Sequence, residues 1–225
     1  MPPAPRFLRY FPAALAFLVL GIVIITAQTA LANPGLAPLD HASLGPRAEY
    51  HASTIIPMLG ASFPRIFASN AGVAFFIIMV PLLWVWVWWF SRSFPGGATR
   101  FMQATVAILL IAVGHNSFTH AYVTFRLLPW QVFLSLYLPH GWLEMLAFVL
   151  AGATAFSAIS DLEGFLRNSL PRNDLRAGDV CLFIVGRVWS AALVILVLMA
   201  TAAAIECFVT PLLVQRAYEA ALLQV

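Results

Sequence analysis

The chain has no lysine, and only 9% of its 225 residues carry a charge. Soluble globular proteins carry about 25%, so that class is excluded. The formal charge of +3 rests on arginines scattered at the edges of apolar runs. They read as orientation signals of a membrane protein rather than as a nucleic-acid footprint. Cysteine is scarce as well: Cys181 and Cys207 fall near opposite ends of one predicted span. Helical rise separates them by about 40 Å, which excludes a disulfide between them and a cysteine metal cluster. The HExxH and GxSxG signatures of metallo- and serine hydrolases are missing too. No fixed-period repeat and no low-complexity segment occurs. No cofactor motif is present, and no cofactor is expected.

What the chain does have is apolar length. It is 62% hydrophobic, with a mean hydropathy of +0.90. The expected fold class is all-α: a polytopic helical membrane bundle of about five transmembrane helices, forming one membrane domain over residues 1–225. The first span is expected over 11–31, after Arg6 and Arg9. Ala30-Leu31-Ala32 resembles a signal-peptidase site, but the apolar run exceeds a usual signal core, and a retained span is favoured. An outer loop follows over 32–66, with a short surface helix expected around Arg47 to Met58.

A four-span core is expected over 67–225. The second span runs from about Ala71 to Phe90, with Pro81 inside it and an aromatic belt of Trp84, Trp86, Trp88 and Trp89 at its end. The third covers about Phe101 to His120. Trp130 to Leu138 is too short to cross alone and reads as a re-entrant approach to a fourth span, His140 to Ala158. Ser160-Asp161-Leu162-Glu163 matches a capping box, so a cytoplasmic amphipathic helix is expected over 160–170. The fifth span runs from about Val188 to Phe208.

With the N-terminus in the cytoplasm, arginines 6, 9, 92, 100, 167, 172, 176 and 187 lie inside, and arginines 47, 65, 126 and 216 lie outside. That excess obeys the positive-inside rule.

The stretch that organises the rest is Leu138-Pro139-His140-Gly141-Trp142-Leu143-Glu144. Pro139 and Gly141 read as a helix-start motif. His140 and Glu144, four residues apart, share a helix face and can touch. Ionisable groups inside a membrane are expensive unless paired or facing a cavity. The topology sets Asn70, His115, His140, Glu144 and Glu206 at one depth near the outer face, where they can form a polar pocket. Three roles stay open for it. It is a polar network that locks helix packing, a proton- or solute-linked site, or a metal site with His140, Glu144 and Glu206 as ligands.

Three segments together resemble the stage II sporulation protein M family of bacterial and archaeal membrane proteins. They are Phe67-Ala68-Ser69-Asn70-Ala71-Gly72-Val73-Ala74, Leu138 to Glu144 with Ala151-Gly152, and Ala204-Ile205-Glu206-Cys207-Phe208-Val209-Thr210-Pro211. The resemblance implies an N-terminal anchor, an outer loop and four further spans. It also implies a non-enzymatic scaffold in a cell-envelope complex of the bacterial inner membrane. The family's namesake works beside peptidoglycan-degrading partners, so peptidoglycan hydrolases are expected among the partner envelope membrane proteins. The lipid bilayer is a partner by composition, nucleic acid is not, and a homo-oligomer stays open. A permease-like subunit for a small solute or lipid is the alternative role, and a metal-dependent intramembrane enzyme the third.

Overall fold

In a membrane, large apolar side chains can face lipid, and small ones are needed where helices meet. The first long helix shows this division. The computed structural model describes residues 6–32, 63–91, 98–128, 130–169 and 176–222. After a short 3-10 turn (Arg6–Tyr10), α1 (Phe11–Ala32) buries Ala14, Leu18, Gly21 and Ile25 on one stripe. Its larger side chains Leu15, Val19, Leu20 and Val23 stay exposed to the surrounding medium.

Four more helices complete the bundle: α2 (Phe63–Ser91), α3 (Ala98–Leu127), α4 (Trp130–Ser169) and α5 (Ala177–Ala204). A single π turn (Ile205–Val209) joins α5 to α6 (Thr210–Leu222). No strand occurs among the described residues. Five helical stretches are long and apolar enough to cross a membrane, the last running through α5, the π turn and most of α6. The all-α, five-span fold expected from the sequence is the fold observed.

α4 is the axis of this bundle. Of its apolar stretch 72% is buried, against at most 39% for the other four. It packs against α1, α2, α3, α5 and α6. The cause is local composition: Ala151-Gly152-Ala153-Thr154-Ala155 and Ser157-Ala158 are small enough for neighbours to close in on every side. At Gly152 a Cβ would lie 2.6 Å from the Leu110 side chain of α3. The tightest crossing is between α1 and α3. A Cβ on Gly21 would lie 2.1 Å from the Ile111 carbonyl oxygen, and one on Gly114 would lie 2.1 Å from the Leu18 carbonyl oxygen. Each glycine lets the other helix's backbone into contact, so neither position tolerates a side chain without a shift.

Several expectations need correction here. Pro139 and Gly141 do not start a helix: both lie inside the 40-residue α4, and Trp130–Leu138 is its first part rather than a re-entrant approach. Proline removes one backbone donor, leaving the Ser135 carbonyl without its usual bond. That loss is offset by tertiary packing, since Val132 and Leu136 are buried with Val214 of α6. At about 60 Å, α4 is twice the thickness of a bilayer's hydrocarbon core.

Ser160 likewise caps nothing, and the segment 160–170 is not a separate amphipathic helix. Residues Ser160 to Ser169 continue α4. Leu162 and Leu166 are almost fully buried, and Phe165 stacks on Phe183 of α5 at 4.4 Å between centroids. Their burial within the bundle outweighs the local capping signal. The cap occurs one element later: the Arg176 backbone N–H donates to Asp179 Oδ2 at 2.9 Å, at the start of α5.

The spans also differ in extent. α2 begins at Phe63, inside the expected loop, where Phe63 stacks on Phe67 one turn away. α3 reaches Leu127, and the last span starts at Ala177 rather than Val188. Pro81 lies inside α2 as expected. The surface helix at 47–58, His41, His51 and the side chains of Trp84, Trp86, Trp88 and Trp89 lie outside the described residues.

At the end of the bundle where α4 finishes, polar groups clasp three helices. Arg187 of α5 pairs with Asp161 of α4 at 3.2 Å, and its guanidinium lies over the Phe183 ring. Arg9 donates to the Ser160 hydroxyl at 3.5 Å. Both cysteines are free.

Candidate functional site: a polar cavity between the helices

The opposite end of the bundle, where α4 begins, is open inside. A cavity of about 780 Å³ lies among α1, α2, α3, α4 and the π turn. Its polar lining comprises Arg65, Asn70, Asn116, His140, Glu144 and Glu206, together with two serines. The apolar wall includes Phe133, Tyr137, Trp142, Met145 and Phe148. Volume and lining match a small-molecule site, in which a few convergent polar groups sit on an apolar surface.

Each polar side chain is placed by a different local feature. Asn70 is the eighth residue of α2 and donates its amide N–H to Glu144 Oε1 on α4. This bond joins the first turns of one span to the middle of another. His140 lies one turn before Glu144 on α4 and is only 8% exposed. Its Nδ1 shares a hydrogen bond with the hydroxyl of Thr210, at 3.3 Å, and Thr210 is wholly buried. Glu206 sits on the π turn. Such turns insert one residue into a helix and are frequent at functional sites. Pro211 explains the turn's position: it follows directly, lacks an N–H and cannot continue the regular ladder, while the Thr210 N–H bonds to the Ile205 carbonyl five residues back. The wider turn directs Glu206 to the cavity and Thr210 to His140.

Thus the structure places four of the five candidate pocket residues, Asn70, His140, Glu144 and Glu206, on one cavity. His115 stands apart from that lining. Its Nε2 meets Gln28 Oε1 of α1 at 3.0 Å, beside the Gly21–Gly114 crossing. His140 and Glu144 do not pair: among the described residues no hydrogen bond or ion pair joins them, and each reaches a different neighbouring helix instead. Gly141 lines the cavity, and a Cβ there would meet nothing within 4 Å. Among the described residues no group of three His, Cys, Asp or Glu is arranged to hold a metal ion.

Three participants escape a reading of the sequence. Thr210 carries a signal in hindsight, because a threonine before a proline at the end of an apolar run is a polar group with nowhere to go but inward. Asn116, next to His115, and Arg65, at the head of α2, also face the cavity. Nothing in their spacing separates them from interfacial residues.

The family model for stage II sporulation protein M matches residues 11–211. The chain belongs to this family. No curated protein and no solved structure matches it. The family match begins at the first residue of α1 and ends at Pro211, so it contains every cavity-lining residue and the whole of the π turn. Together with the five apolar helices, family membership makes the chain a multi-pass membrane protein.

Proposed function

We propose that this stage II sporulation protein M family member is a non-enzymatic integral membrane component of a cell-envelope complex in the bacterial inner membrane. In this reading the N-terminus and the Asp161–Arg187 clasp are cytoplasmic, and the cavity opens toward the outer face. The arginine asymmetry supports that orientation. The observation that carries the scaffold role is the tie of α2 to α4 through Asn70 and Glu144, matched by the His140–Thr210 tie of α4 to α6. These polar groups are spent on fixing helices to one axis. A partner docking against such a bundle meets a shape that is already set, which is what a membrane scaffold needs. Envelope membrane proteins, with peptidoglycan hydrolases among them, are the proposed partners, and a second copy of the chain is a further one.

The experiment is crosslinking in intact cells followed by affinity capture of the full chain and mass spectrometry. Envelope hydrolases enriched with the wild type, and lost with an Asn70→Leu variant, are the expected result. A stoichiometric ATPase with no hydrolase would contradict it.

A second reading, a permease-like subunit for a small solute or lipid, is favoured by the cavity itself, whose volume exceeds what a packing network requires. The same capture separates the two, since a transport subunit would bring down an energising partner.

A further inference from the structure

The cavity contains a carboxyl group that the protein leaves unused. Glu144 accepts from Asn70, and the Nδ1 of His140 is engaged by Thr210. Glu206 lines the same cavity and makes no hydrogen bond among the described residues. The second nitrogen of His140, Nε2, is also without a hydrogen-bond partner among the described residues, although the side chain is 8% exposed and faces the cavity. Unpaired ionisable groups at membrane depth are costly and mark solute or ligand positions. The π turn that directs Glu206 inward adds an independent geometric sign of a site.

We propose that this cavity binds primary ammonium compounds with an apolar body, and that Glu206 is the counter-ion of the ammonium. The lining selects that class. An ammonium offers three N–H donors and no acceptor. On α4 and the π turn the ionisable groups awaiting partners are acceptors: both oxygens of Glu206, the second oxygen of Glu144, and His140 Nε2 in one tautomer, while the donors Arg65, Asn116 and the two serines stand across the space on α2 and α3. The titratable or charged side chains lining the space are Arg65, Tyr137, His140, Glu144 and Glu206. An ammonium paired with Glu206 favours the ionised form of that carboxyl, and Glu144, already bound to Asn70, adds an acceptor oxygen beside it. Phe133, Tyr137, Trp142 and Phe148 supply the apolar wall, and aromatic faces also attract ammonium groups. The cavity of about 780 Å³ fits an organic ligand rather than a bare ion. This goes beyond the scaffold reading and requires no passage of a solute across the membrane.

Two sources share this chemistry, the headgroup of phosphatidylethanolamine and a free amine. The test uses the purified full chain in nanodiscs of phosphatidylcholine, a lipid without a primary ammonium. The probe is 2-phenylethylamine, with 2-phenylethanol as its uncharged counterpart, and binding is read by calorimetry. Saturable binding of the amine is expected, weaker by about tenfold or more for the alcohol and for Glu206→Gln, with measurable binding kept by Glu206→Asp. Nanodiscs containing phosphatidylethanolamine then identify the source. Displacement of the probe supports the lipid headgroup, and unaltered binding supports a free amine. No saturable binding by folded wild-type protein, or equal binding of the alcohol, would overturn the proposal, and neither result depends on a variant folding. An envelope complex captured intact in that event would leave the scaffold reading standing.

Discussion

Asn70 on α2 donates a hydrogen bond to Glu144 on α4, across 74 residues of sequence and beside the polar cavity of the bundle. The two helices run in the same direction from the cavity end of the bundle, and the bond sets the eighth residue of α2 level with the fifteenth of α4. The bond therefore fixes both the rotation of α2 and the height at which α4 presents His140 and Glu144. Interhelical hydrogen bonds in membranes stabilise by roughly 0.6–2 kcal/mol each. That is small against the whole bundle, but it is directed at the groups that line the cavity.

The crossing of α1 and α3 predicts a sharp contrast between glycines. Gly21→Ala and Gly114→Ala should each destabilise the protein by about 1–3 kcal/mol, because a Cβ meets a backbone carbonyl that cannot rotate away. Gly141→Ala, in open space inside α4, should be neutral or stabilising by up to about 1 kcal/mol from helix propensity. Thermal unfolding in detergent, followed by circular dichroism, checks all three.

The same crossing bears on processing. Because α1 is packed into the bundle through Leu18 and Gly21, the mature chain is expected to retain residues 11–32 despite the Ala30-Leu31-Ala32 sequence. Intact-mass measurement of protein purified from membranes decides this. A mass corresponding to a start at Asn33 would show that the helix is removed.

Glu206 and Thr210 should separate binding from stability. Glu206 has no hydrogen-bond partner to strand, so Glu206→Gln and Glu206→Leu should each alter stability by less than about 1 kcal/mol. Thr210→Val removes the partner of buried His140 and should cost about 1–3 kcal/mol. Melting temperatures of the three variants in one detergent provide the comparison.

The proposed orientation predicts that an impermeant thiol reagent labels Ser43→Cys, but not Asn173→Cys, in intact spheroplasts of a strain whose chain lacks Cys181 and Cys207. Labelling of Asn173→Cys in intact spheroplasts would invert the topology.

The five spans were readable because composition alone forces them, and depth counting along Asn70, His140, Glu144 and Glu206 was enough to suggest a shared level. The local sequence misplaces the helix breaks for one physical reason. Pro139-His140-Gly141 and Ser160–Glu163 are strong local signals, but local costs of about 1–3 kcal/mol are overridden when Val132, Leu136, Leu162 and Leu166 are buried by neighbours distant in sequence. The pairing within the site departs from local spacing for the same reason. His140 and Glu144 share a helix face, yet polar groups on Thr210 and Asn70, brought in by tertiary packing, took their hydrogen bonds. The reciprocal Gly21–Gly114 contact left only a faint trace, a single glycine in each apolar run.

The central claim is that α2 and α4 are locked together through Asn70 and Glu144, and a double-mutant cycle of Asn70→Leu, Glu144→Leu and the pair measures that lock directly. Each single variant leaves a polar group unpaired and should lose about 1–3 kcal/mol in reversible unfolding, while the double variant should lose less than the sum by about 0.5–2 kcal/mol. Strictly additive losses would mean that the two side chains do not interact in the membrane, and would contradict the account.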